Sequence, residues 1–295
     1  MKIHQVLLLS ILNSSIAFAG NLDIFMDISH NFLGAEYDEF LLGEGENGDL
    51  IQKPYINLNK FDCLTYVETI MALALSNNKK EFLSVYQDIR YEKPPFTFSN
   101  RNHFMNIDWN QHNISKGYIQ DITENIIDNN GNHIAKKVKT EIDKKGWYYK
   151  LATDNKLWER YSSKTLTPQT TKTLLDLGNR YKIQTSTIYY LPIQSVIKSL
   201  KSQNSYLIKQ LPEISIVEFI RKNWDVKKYI GTDLDISHIG FLINDNKNLV
   251  LRHASQEQKK VTDILLYDYL EQQSKNRSLI GINIHTIGGE KLTPG

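Results

Sequence analysis

The residues of this chain best equipped for chemistry are one cysteine and two histidines, Cys63, His238 and His253. Cys63 is the only cysteine, so it has no partner for an internal disulfide and is either an inert packing residue or a reactive thiol. Its position favours reactivity. It opens a run in which Leu64, Val67, Met71, Ala74 and Leu75 recur at helical steps, with Asp62 at the N-cap position. The first turn of a helix leaves amide donors free and carries a partial positive charge, and both favour a thiolate. The neighbouring Asp62 carboxylate opposes this, less so if capping engages its oxygens.

A thiol nucleophile needs a base. Ile236 to Ile243 and Leu249 to Ser255 read as strands, with the turn-like run Asn244 to Asn248 between them. A hairpin about Asp245-Asn246, with Asn244 opposite Lys247, sets His238 directly opposite His253 on one face. One imidazole can then act as base while the other orients it and fixes its tautomer. A slip of one residue would put them on opposite faces.

Arg101-Asn102-His103-Phe104, followed by Asp108-Trp109, mixes a cation, an imidazole and two aromatic rings. The functional reading is a substrate wall in which Arg101 holds a carboxylate and an aromatic face stacks on a sugar or peptide. The alternative is an ordinary surface turn. Ser237 beside the candidate base and Asp62 beside the sulfur complete the expected substrate contacts, with His103 and Trp109. The histidines His103, His112, His238 and His253 lack a tight metal-ligand spacing, and no G-x-S-x-G is present. The expected chemistry therefore needs no metal and no cofactor.

These residues must be positioned by a fold. Residues 22–43 read as helical, with Leu22, Ile24, Phe25, Ile28, Phe32 and Leu33 forming an apolar face. Helices are also predicted over 63–76, 81–90, 134–145, 155–163 and 168–182, and strands over 214–220, 236–243 and 249–255. Lys136, Lys137, Lys139, Lys144 and Lys145 form a basic cluster, read as a solvated helix face or as an attraction to an anionic polymer. Helices first and strands later predict an α+β fold.

Residues 1–19 read as a signal peptide: Lys2 and His4, an apolar run from Val6 to Leu12, and Ala17-Phe18-Ala19 before Gly20. A periplasmic or secreted location follows, with no membrane span after cleavage. Residues 20–295 are expected to form one domain, with 96–210 as a mostly helical insertion. Hydrophobic residues at 41% and charged residues at 23% fit a globular protein, and a net charge of +2 is too small to argue for nucleic acid. No obligate protein partner is implied.

Phe61-Asp62-Cys63-Leu64-Thr65-Tyr66-Val67-Glu68, Ser237-His238-Ile239-Gly240 and His253-Ala254-Ser255 together resemble the NlpC-type branch of papain-like cysteine hydrolases. More narrowly they resemble the N-acetylmuramoyl-L-alanine amidase-like family. Ile89-Arg90-Tyr91, the Arg101-x-His103 block ending at Trp109, Asp121-Ile122-Thr123, Tyr190-Leu191-Pro192, Leu234-Asp235, Tyr269-Leu270 and Gly281-Ile282 add to the likeness. The resemblance implies Cys63 as nucleophile, His238 as general base and His253 as the orienting third residue. It also implies a central antiparallel sheet packed against the Cys63 helix. The implied substrate is peptidoglycan or its fragments, cut at the amide between the muramic lactyl group and L-alanine. A γ-D-glutamyl–diamino acid endopeptidase and a catalytically silent cell-wall binding module are the alternatives. The sequence departs from the family at Leu211-Pro212-Glu213-Ile214, where a Gly-Asp turn is usual, and at Asn100, which separates Ser99 from Arg101.

Overall fold

The computed structural model describes residues 22–202 and 205–288, so the expected signal peptide lies outside the described residues. The chain runs through α1 (Leu22–Asn31), β1 (Glu36–Tyr37), β2 (Lys60–Phe61), α2 (Cys63–Ala74) and α3 (Lys79–Arg90). A 3-10 turn (Phe98–Asn100), a π-helical segment (Met105–Asn110) and α4 (Gln111–Ser115) come next. Then follow β3 (Ile119–Asp121), β4 (Lys136–Ile142), α5 (Lys144–Thr153), α6 (Asn155–Ser162), α7 (Pro168–Gly178), β5 (Gln184–Pro192), α8 (Ile193–Lys201) and α9 (Tyr206–Gln210). The C-terminal part is β6 (Ile214–Arg221), α10 (Lys227–Ile230), β7 (Ile236–Asn244), β8 (Leu249–Ser255), β9 (Lys260–Leu265), α11 (Leu266–Gln273) and β10 (Leu279–Ile287).

The strands form one central sheet in the order β2-β1-β9-β8-β7-β6-β10-β5-β4, with β3 on a further stretch of β10. Neighbours are antiparallel except β1 with β2. Both faces are covered, which is why β6 is buried along almost its whole length. On one face Ile239, Phe241 and Ile243 pack with Tyr66, Val67, Ile70 and Met71 of α2 and with Phe25, Ile28 and Phe32 of α1. On the other, Val217, Phe219, Leu242 and Leu251 meet Val196 and Ile197 of α8 and Leu266 and Leu270 of α11. The α2 helix is buried from Thr65 to Ala74. Each large apolar side chain it buries contributes about 1.5–3 kcal/mol, so the helix that begins at Cys63 is anchored against the sheet.

Three expectations change. The first helix stops at Asn31, because Gly34 turns the chain at φ +84° into β1. Residues 134–145 are mainly the strand β4, not a helix. Its inward residues Val138 and Ile142 are four apart, a spacing that suits a helix and a strand equally, and pairing with β5 decides the outcome. The region 96–210 is therefore less helical than predicted, since β3, β4 and β5 extend the central sheet. The basic cluster is divided accordingly: Lys136, Lys137 and Lys139 lie on β4, and Lys144 is turned inward onto Asp108 at 2.5 Å.

Candidate active site

The α2 helix starts where the sequence places it. The Asp62 carboxylate accepts the Thr65 N–H at 2.8 Å, and the Thr65 hydroxyl accepts the Asp62 N–H at 3.0 Å. This reciprocal cap uses the third amide of the helix and leaves those of Cys63 and Leu64 uncommitted. These two amides and that of Ile239 lie near enough to the Cys63 sulfur to favour its thiolate form. Ile239 follows His238 on β7, so the sulfur lies against the peptide unit that joins them.

Burial, and then the Asp62 charge, pushes the Cys63 thiol up to about 12 despite the three amides. The resting sulfur is a protonated thiol, where the helix start alone favours a thiolate. Dehydration of the sulfur outweighs the local dipoles. Asp62 is itself raised above the usual carboxylate range, chiefly by burial.

His238 Nε2 is 2.6 Å from His253 Nδ1, and the rings meet edge to face with centroids 4.8 Å apart. The two histidines thus share a face, as predicted, but not by direct opposition. The β7–β8 pairs are Asn244 with Leu249 through Phe241 with Arg252, two residues displaced from the expected register. The turn is Asp245 to Asn248: the Asp245 carboxylate accepts the N–H groups of Lys247 (2.8 Å) and Asn248 (2.5 Å), and Asn246 sits at φ 64°. An even displacement preserves the face, so the rings meet diagonally. Gly240 makes room for this, because a Cβ there would stand 3.0 Å from both the His253 Cβ and the Arg252 carbonyl oxygen.

Burial holds His253 down at about 4 and, joined by the charges of His253 and Arg221, holds His238 well below the ordinary imidazole value. Both rings are neutral at neutral pH. With Nε2 of His238 bonded to His253, Nδ1 is the nitrogen left to act as a base. It is free of a proton only when His238 Nε2–H donates to His253 Nδ1. Tyr269 of α11 packs against both rings, with centroids 6.2 Å from His238 and 5.5 Å from His253, and Phe219 lies 5.6 Å from His238. Burial raises the Tyr269 phenol, and the nearby Cys63 adds to the rise. Tyr269 had no signal in the sequence beyond the block Tyr269-Leu270.

His238, His253, Ser237 and Tyr269 open onto a cavity of about 310 Å³. The Ser237 hydroxyl donates to the Phe219 carbonyl at 3.3 Å. The other predicted wall residues lie elsewhere. Arg101 is buried and paired with Glu44, its Nε donating at 3.1 Å. Trp109 is fully buried, its Nε1–H donating to Glu68 at 3.1 Å, and Glu68 in turn pairs with Arg90 at 2.7 Å. His103 donates from Nε2 to the Phe98 carbonyl at 2.6 Å and lines a separate cavity of about 330 Å³ with Arg101 and Lys144. Burial and the Arg101 charge hold it well below the ordinary imidazole value. Arg101 and Trp109 are thus structural in this geometry, fastening the loop after β1 and the helix α2. Among the described residues no group of three or more His, Cys, Asp or Glu side chains is arranged to hold a metal ion, and no helix is long and apolar enough to cross a membrane.

The AmiA-like family model, described as N-acetylmuramoyl-L-alanine amidase-like, matches residues 27–279. The chain belongs to this family. A Legionella pneumophila str. Philadelphia 1 protein of the DUF1460 family is 33% identical, with a TM-score of 0.79 over 90% of this chain and 88% of that one. An N-acetylmuramoyl-L-alanine amidase from Bacteroides uniformis shares the fold at 20% identity, with a TM-score of 0.60 over 90% of this chain and 98% of that one. No curated protein matches the sequence. Membership of this family supports a cell-wall amidase-like role with a peptidoglycan-type substrate.

Proposed function

We propose that this protein is a cysteine amidase with a papain-like, NlpC-type centre that cleaves the amide between N-acetylmuramic acid and L-alanine in peptidoglycan or its fragments. The observation that carries this reading is the bonded pair His238–His253 at 2.6 Å, held beside a sulfur that faces the Ile239 amide. His238 Nδ1 takes the proton of the Cys63 thiol as the sulfur attacks the lactyl carbonyl carbon. The tetrahedral oxyanion is stabilised by amide donors at the start of α2, a contribution of roughly 10²–10³ in kcat per donor. His238 then gives its proton to the nitrogen of L-alanine, the C–N bond breaks, and the muramoyl group remains as a thioester on Cys63. A water deprotonated by His238 attacks the thioester, releasing the lactyl carboxylate and restoring the thiol. His253 orients His238 throughout.

A periplasmic or secreted location, with residues 1–19 removed and residues 20–295 acting as one domain, fits this substrate. The deciding experiment is digestion of a defined muropeptide by wild type and Cys63→Ala, with products identified by mass spectrometry. Free peptide with L-alanine intact at its amino end, absent from the Cys63→Ala digest, is the expected result. Cleavage after the γ-D-glutamyl residue would make the protein an endopeptidase instead. Full activity of Cys63→Ala would end the cysteine mechanism.

A further inference from the structure

Among the described residues three arginines are buried, and each is paired with a carboxylate. Arg90 pairs with Glu68, Arg101 with Glu44 and Arg252 with Asp263. Arg221 at the end of β6 is partly buried, yet among the described residues no carboxylate pairs with it. Its Nη1 donates to the Ser278 hydroxyl at 2.8 Å, and its guanidinium lies 5.1 Å from the centre of the Trp224 ring. Its Nε is fully buried and has no hydrogen-bond partner. Burial lowers its affinity for its proton, and only Tyr269 offsets this. A partly buried guanidinium whose Nε has no acceptor carries a desolvation cost that a bound anion would offset.

Arg221 also stands in the right place to meet a ligand. It lines the same cavity as His238, His253 and Tyr269, with Trp224 as an adjoining wall. Its charge is felt at His238. A planar fork of donors over an aromatic ring is well matched to a carboxylate. Glu257, on the exposed side of the cavity, makes no ion pair with it.

We propose that Arg221 is a specificity-determining residue that binds a free carboxylate of the peptide part of the substrate, so that the protein selects acidic stem peptides over their amidated forms. This rests on the amidase reading for the identity of the substrate, not for the existence of the anion site. Binding the carboxylate has a second consequence. It offsets the Arg221 charge, the least of the three influences that lower His238, after burial and His253.

The test compares N-acetylmuramoyl-L-alanyl-D-glutamate, which carries two free carboxylates, with its diamide. Wild type is expected to favour the dicarboxylate by about 10- to 100-fold in kcat/KM, the worth of one charge-assisted hydrogen-bonded contact. In Arg221→Gln this ratio should collapse toward one, and Arg221→Lys should keep part of it. Calorimetric binding of both ligands to Cys63→Ala, with and without Arg221→Gln, should show the same discrimination without turnover. If wild type hydrolyses neither ligand, the amidase reading fails while the binding arm still decides the role of Arg221. The proposal is overturned if the dicarboxylate does not bind, if wild type does not discriminate, or if Arg221→Gln retains the preference. Equal weakening of both ligands in Arg221→Gln and Arg221→Lys, with a lower Tm, would assign Arg221 a structural role and likewise overturn it.

Discussion

His238 Nε2 and His253 Nδ1 share a hydrogen bond of 2.6 Å between two rings that are both neutral at neutral pH. One proton lies between two nitrogens, and its location decides whether His238 Nδ1 is a lone pair or an N–H. Only the first form can accept a proton, as the proposed mechanism requires.

Replacing His253 with Ala removes that choice. We expect kcat on a muropeptide to fall by about 10²-fold, with KM changed much less and the fold retained by circular dichroism. Unaltered kcat would show that His238 needs no partner to hold its tautomer.

Gly240→Ala tests the diagonal contact. The added methyl meets the Arg252 carbonyl and the His253 Cβ at 3.0 Å, both on one backbone segment of β8. The strands must separate there, at a cost of about 1–3 kcal/mol, and the histidine bond should lengthen. Urea denaturation reads the first effect and kcat the second. A variant with lower stability but full kcat would show that the close approach serves packing alone.

The ion pair between Glu68 and Arg90 ties α2 to α3 with both side chains almost wholly buried. Glu68→Ala leaves the buried guanidinium without its carboxylate, with only the Tyr55 carbonyl and the Tyr86 hydroxyl as acceptors, and leaves the Trp109 indole N–H without its acceptor. The expected loss is about 3–5 kcal/mol, read from chemical denaturation. A loss below 1 kcal/mol, far short of that range, would mean that water reaches this site.

The two site histidines make a contribution to stability whose pH dependence has a definite sign. Burial carries His253 from the ordinary 6.5 to about 4, with Asp263 opposing, and moves His238 the same way. Between about pH 4 and 6.5 the unfolded chain holds protons that these two histidines refuse in the folded protein, so their contribution to stability rises with pH across that window, while Asp62, raised by burial, contributes in the opposite direction. His253 alone accounts for about 3 kcal/mol of that rise. His285 acts oppositely: burial lowers it, but the Glu218 hydrogen bond and charge raise it overall, so its contribution is complete below 6.5 and is lost as pH rises through its folded value. Denaturation midpoints at pH 4.5 and pH 7 should differ less in His253→Gln than in wild type, and an equal difference in both would remove His253 from the account.

How much of this was legible in the sequence follows from the range of each interaction. The Asp62 cap spans three residues, and the helix it starts ends within two residues of the predicted end. The strands β7 and β8 were readable from alternation, and the histidines were predicted to share a face. The register was not, because Asp245 and Asn246 suit turns centred at more than one position. The strand β4 escaped because Val138 and Ile142 fit two periods, and its true partner, β5, lies far along the chain. Arg101 and Trp109 had the composition of a substrate wall, but Glu44 and Glu68, remote in sequence, draw them inward. Arg221 had no signal, since a missing ion pair has no sequence pattern.

The sequence by itself therefore determined where the cysteine helix begins, which side chains carry reactive groups, and that the two imidazoles point to one side of their hairpin. These depend on neighbours a few residues away, which the chain keeps close in any conformation. The tertiary structure alone decided that the sulfur rests against the Ile239 amide, that it stays protonated, and that the histidines meet diagonally across Gly240. Those outcomes depend on how distant segments stack and exclude water, and dehydration of a charged group is a property of the packed molecule rather than of any stretch of chain.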